Sequence, residues 1–126
     1  MSFDVFFQRF RDGDAAPGGG AAMRSVLAAH VARDEPDSSF AHVVVGDGAA
    51  DVYLSDDSML ANNITGEQSW DLLVEGAKAA GWAIMPVGCP VLITDESGRA
   101  HLPDGLGKDA VHVSTGKDVV RAIIGS

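Results

Sequence analysis

Glu67, Asp71 and Glu75 recur every four residues, the spacing that stacks side chains along one face of a helix. Like charges so placed oppose one another by roughly 0.2–0.5 kcal/mol per pair. Glu67 and Asp71 fall near the expected helix N-terminus, where negative charge is welcome, and Glu75 can lean on Lys78. With that relief the ridge reads first as a solvated face, and second as an acidic docking surface for a basic protein partner. Asn62 and Asn63 stand just before it and could add amide hydrogen bonds to such a contact.

The only cysteine, Cys89, sits between Gly88 and Pro90 at a break between two apolar runs. A reactive thiol needs its thiolate stabilised by a base, a cation or a helix N-terminus. No basic residue occurs between Lys78 and Arg99, and no C-x-x-C partner exists. The segment therefore reads as a sharp break fixed by Pro86, Gly88 and Pro90, with the cysteine fitted inside as a small apolar side chain. The Cys89–Pro90 peptide is open to either isomer.

Histidines 30, 42, 101 and 112 show no H-x-H, H-x-x-x-H or E-x-x-H spacing. His42 and His112 fall on strand-like runs and could be neighbours, but two imidazoles do not make a zinc site. His30 falls within an apolar helix stripe and reads as a boundary residue. Carboxylates at 47, 51, 56 and 57 miss the calcium-loop spacing and read as solvated turns. The run Pro17-Gly-Gly-Gly20 lies where a phosphate could meet a helix start. It satisfies no dinucleotide or P-loop pattern, and Asp12 and Asp14 beside it repel anions, so it reads as a flexible lead-in loop. No serine stands in a G-x-S-x-G context. Asn63-Ile64-Thr65 matches the glycosylation sequon by chance. No metal, cofactor or catalytic residue is expected.

Eighteen acids against nine bases give a net charge of −9, which argues against nucleic acid and anionic lipid as partners. Apolar content of 46% in 126 residues suits one soluble domain with a real core, spanning 1–126. No apolar run approaches a membrane span, and the start of the chain lacks the features of a secretory signal. A lone cysteine gives no disulfide, so a cytoplasmic location is expected. The Ala-, Gly-, Asp- and Val-rich composition hints at a GC-rich bacterial genome.

The elements that must position these residues follow from periodicity. Residues 2–11 alternate, with Phe3, Val5 and Phe7 on one face and Phe6 and Phe10 on the other, which predicts a strand covered in part on both sides. Met23, Val26, Leu27, His30 and Val31 form one helix stripe, predicting a helix over 18–33 that Pro36 ends. Runs 40–45 and 50–56 flank a Gly-Asp-Gly turn and predict a hairpin. Residues 58–64 fit either a third strand or an irregular lead-in.

A second helix carries Trp70, Leu73, Val74 and Ala77, with a capping box at Thr65 and Gln68 and Gly81 as its left-handed terminator. WAIMPV and PVLITD predict strands, ESGR a turn and residues 110–114 a strand. Thr115 and Asp118 open a last helix bearing Val119, Val120, Ile123 and Ile124.

This order predicts an α+β domain: a mostly antiparallel sheet with helices on one face. Its core matches a ferredoxin-like split βαβ arrangement with a C-terminal strand-helix addition. The leading functional expectation is a non-enzymatic protein-binding module of inhibitor, immunity or adaptor type, either monomeric or paired through an edge strand. The alternative is a small-molecule sensor or enzyme with a pocket near Cys89, lined by His42, His112 and Asn62.

Overall fold

In the computed structural model, residues 4–125 are described, and they form one α+β domain. Phe3, assigned to the first strand, lies outside the described residues. Strands are β1 (Val5–Arg11), β2 (Asp14–Ala16), β3 (Val31–Glu35), β4 (Phe40–Val45), β5 (Gly48–Leu54), β6 (Ser58–Thr65), β7 (Ala83–Pro86), β8 (Leu92–Ile93) and β9 (Val111–His112). Helices are α1 (Gly20–Leu27), α2 (Glu67–Ala80) and α3 (Gly116–Ile124). The sheet runs β3-β4-β5-β6-β1-β7-β8-β9, with β2 paired onto the end of β1. Every pairing is antiparallel except β8 with β9.

β6 and β7 both pair antiparallel with β1, so they run parallel to one another with β1 between them. By the same logic β1 and β5 run parallel with β6 between them. β6, α2 and β7 thus form one split βαβ unit around β1, whereas α1 leads into β3 at the sheet edge and reaches β5 only through β4. The run 58–64, left open by its sequence, is the strand that pairs with β1 and so occupies the sheet centre.

Alternation assigns the two faces. Val5, Phe7, Val43, Val52, Met59, Ala61 and Ile84 point to one side and are buried. Met23 and Leu27 of α1, Trp70, Leu73 and Ala77 of α2, and Val119 of α3 cover them. Removing a large apolar side chain from water is worth about 1.5–3 kcal/mol, which holds all three helices to this one face. α1 approaches α2 closely because residue 76 is Gly; a Cβ there would strike Met23 Sδ. On the opposite side only the β7–β8 end is covered. There the 3-10 helix Glu96–His101 and the following loop bury Ala83, Val91, Ile93, Leu102 and Ala110. Among the described residues no helix is long and apolar enough to cross a membrane.

Several local expectations are corrected. The first helix ends at Leu27, not at residue 33: a tight turn over Ala28–His30 leads into β3, which pairs with β4. Spacing alone carried His30 and Val31 into the helix stripe, whereas backbone pairing with β4 decided their conformation. The lead-in loop contains a hairpin, because Asp12 and Gly13 adopt positive φ and turn Asp14–Ala16 back along β1. The capping box at Thr65 and Gln68 is absent. Thr65 ends β6, its Oγ1 accepts the Ala49 N–H, and Gly66 precedes the helix with no side-chain cap. The ESGR segment is a 3-10 turn capped by Asp95, and β8 and β9 are shorter than their apolar runs. Gly81 does close α2 in the left-handed region, and Thr115 with Asp118 forms a complete capping box on α3.

Candidate functional site: the helix-free face of the sheet

On the face opposite the helices, strand register places five large apolar side chains in one row. Phe40 of β4 is opposite Tyr53 of β5, Tyr53 opposite Leu60 of β6, Leu60 opposite Phe6 of β1, and Phe6 opposite Met85 of β7. Directly opposed residues share a face, so the row is continuous across five strands. Phe40 and Tyr53 rings lie 5.2 Å apart and tilted, and the Arg33 guanidinium stands 5.3 Å from the Phe40 ring. Phe6 is 43% and Tyr53 40% exposed, too much for side chains recruited to a core. A shallow depression of about 570 Å³ lies over the row, bounded by Gln8, Ser39, Ser55 and Ser58.

A polar row runs beside it. Arg33 opposes His42, His42 opposes Asp51, and Asp51 opposes Asn62. His42 Nδ1 lies 2.7 Å from Asp51 Oδ1, while Asp51 Oδ2 accepts from Asn63 Nδ2 at 2.8 Å. Asn62 Nδ2 donates to Asp4 Oδ1 at 3.3 Å. Asn63 joins this group because its backbone is left-handed (φ 51), at the point where the β5–β6 register shifts. Without that bulge its side chain would alternate to the helix side. Burial alone would raise the Asp51 carboxyl. Hydrogen bonds from His42 and Asn63, with the nearby charges of His42 and Arg33, outweigh it and hold the carboxyl below its ordinary value.

Compared with protein-family models, curated proteins and solved structures, the chain finds no significant match.

The structure brings His42, Asn62 and Asn63 together but leaves His112 and Cys89 elsewhere. His112 lies on β9, six strand spacings or about 29 Å from β4. Cys89 sits half-buried in the turn after β7, with a trans peptide to Pro90, and its Sγ is 3.8 Å from the Val87 carbonyl. It is thus partly covered at the break. Three surface cavities, of about 570, 280 and 400 Å³, are lined by other residues.

The ridge residues Glu67 and Glu75 are exposed on α2. Asp71 is exposed as well, and its Oδ1 accepts the Gly116 N–H at 2.7 Å and fixes the start of α3. Lys78 donates to the Ser114 carbonyl, so its ammonium is directed at the same junction and away from Glu75. Among the described residues no cluster of three His, Cys, Asp or Glu could hold a metal.

The glycine run is pinned. Gly18 N–H donates to Asp57, Trp82 Nε1 donates to the Gly18 carbonyl, and Gly20 N–H donates to the Asp56 carbonyl. A carboxylate therefore occupies the place an anion would need. Sequence reasoning missed Asp51, read as a turn residue, and the row through Phe40, Tyr53, Leu60 and Met85. Alternation on each strand could have found the face, but their alignment depends on register.

Proposed function

We propose that the protein is a non-enzymatic protein-binding module whose contact surface is the helix-free face of the sheet. The observation that carries this reading is the apolar row of Phe40, Tyr53, Leu60 and Phe6, left uncovered by the three helices and ending at Met85, which packs half-buried against the β7–β8 cluster. Aromatic and Met side chains surrounded by hydrogen-bonding groups are the composition of interface centres. The side chains beside the row are net negative, Glu35, Asp51 and Asp4 against Arg33, on a chain of charge −9. The partner that fits is a protein surface with an apolar centre and basic margins. Inhibitor, immunity-type and adaptor roles all use such a surface. The unpaired Cys89 suits a reducing compartment such as a bacterial cytoplasm.

The test is affinity capture at low and moderate salt with wild type, a Phe6→Arg/Tyr53→Arg variant and a Glu67→Lys/Glu75→Lys variant. A basic partner kept by the ridge variant, lost by the face variant and weakened by salt is the expected result. A partner that ignores the face substitutions but is lost from the ridge variant would move the interface to α2. Absence of any partner would overturn the reading.

A further inference from the structure

We propose that the cleft between α1 and the β3–β4 edge binds a free apolar α-amino acid. α1 stops at Leu27, so the helix layer ends before it reaches the outer strands, and a cavity of about 400 Å³ remains there. Its floor is apolar: Leu27 and Val52 are buried, and Ala41 and Leu54 are half-buried. This is a size typical of small-molecule sites, which combine an apolar lining with a few polar groups. At roughly 30 Å³ per water it equals about a dozen waters, comparable to the heavy-atom count of phenylalanine.

Two opposite charges stand on the rim. Arg24 belongs to the last turn of α1, and Asp34 opposes Ala41 on β3, on the same side of the sheet as the helices. Among the described residues neither lies within 4 Å of an opposite charge. An apolar floor beneath one unpaired guanidinium and one unpaired carboxylate matches a zwitterion with an apolar side chain. The guanidinium fits the ligand carboxylate through two parallel hydrogen bonds, and the carboxylate accepts from its ammonium. Ser39, which also lines the cleft, holds a left-handed backbone (φ 61) unusual for a serine. Its carbonyl accepts the Leu54 N–H, so the same strained residue ties the rim to the floor. The cleft adjoins the interface proposed above at Ser39, Phe40 and Leu54, but it opens on the helix side and its ligand does not depend on that partner.

The experiment is titration of the intact protein with L-phenylalanine, followed by amide chemical shifts and calorimetry. Saturable shifts centred on Ala41, Val52 and Leu54 are expected. Arg24→Gln and Asp34→Asn should each weaken binding about tenfold. N-acetyl-L-phenylalanine and L-phenylalaninamide should lose affinity similarly, each lacking one charge. Ala28→Phe, which fills the cleft from an exposed position, should abolish the shifts while unfolding cooperatively like wild type. No saturation up to about 10 mM would overturn the proposal. So would equal binding of the acetylated or amidated analogues, which would leave only an apolar crevice.

Discussion

His42 Nδ1 and Asp51 Oδ1 lie 2.7 Å apart across β4 and β5, and the same carboxylate takes a second bond from Asn63 on β6. One acid thus ties three strands together on the face that the helices leave open. The Asp51 side chain is 20% exposed, so these bonds are partly shielded from water.

Acid stability follows from this geometry. Burial disfavours the Asp51 charge, but its hydrogen bonds and neighbouring charges prevail, so folding lowers its pKa from the ordinary carboxylate value. A carboxyl depressed on folding adds stability that is complete above its unfolded value and disappears as pH falls through the folded one. Urea unfolding of wild type should therefore weaken between about pH 5 and about pH 2 more steeply than that of Asp51→Asn. Equal slopes would show that Asp51 has no part in the acid response.

Neighbouring phenylalanines should separate the two faces. Phe7 is 1% exposed and sits in the main core, so Phe7→Ala should cost about 3–5 kcal/mol. Phe6 is 43% exposed, so Phe6→Gln should change stability by no more than about 0.5 kcal/mol. Chemical denaturation of both variants decides it. A large loss from Phe6→Gln would mean that the open row is a second core, and would weaken its assignment as an interface.

What could be read from the sequence was what depends on local pattern. The α2 stripe of Trp70, Leu73, Val74 and Ala77 is buried as its spacing requires, and Val45 pairs with Gly48 across a two-residue turn. Thr115 caps α3 because the hydroxyl and the Asp118 carboxylate satisfy each other's backbone donors. What could not be read depends on contacts distant in sequence. Val31 carries a helix-compatible spacing, yet it lies on a strand because β4 offers its backbone a partner. The candidate face suffers the same limit more severely. Phe6 and Phe10 were legible as the second face of β1, but the alignment of Phe6 with Leu60, Tyr53 and Phe40 exists only once the order of β1, β6, β5 and β4 is fixed. Asp51 looked like a turn carboxylate because its role comes from His42 and Asn63, nine and twelve residues away.

The pinned glycine run gives a paired test. Gly19 has φ +104, and a Cβ there would sit 2.8 Å from the Ala80 carbonyl oxygen and strike Trp82 Nε1. Gly19→Ala should therefore cost about 3 kcal/mol, combining backbone strain with a collision the neighbouring backbone resists. Gly13 has φ +89 but open space around it, so Gly13→Ala should cost only about 1–2 kcal/mol. Equal losses in urea unfolding would show that the run is not clamped by Trp82 and the end of α2.

Cys89 offers the last test. Pro86 ends β7, Gly88 turns at φ +79, and the Cys89 N–H closes the turn on the Pro86 carbonyl. The backbone break is thus made by its glycine and prolines, while the half-buried sulfur contributes little to it. An aromatic disulfide reagent should modify Cys89 to completion in native buffer at about pH 8, more slowly than in the unfolded chain. Cys89→Ser should unfold within about 0.5 kcal/mol of wild type. Protection of the thiol until the protein unfolds, together with a large loss in Cys89→Ser, would make the cysteine an interior packing residue after all.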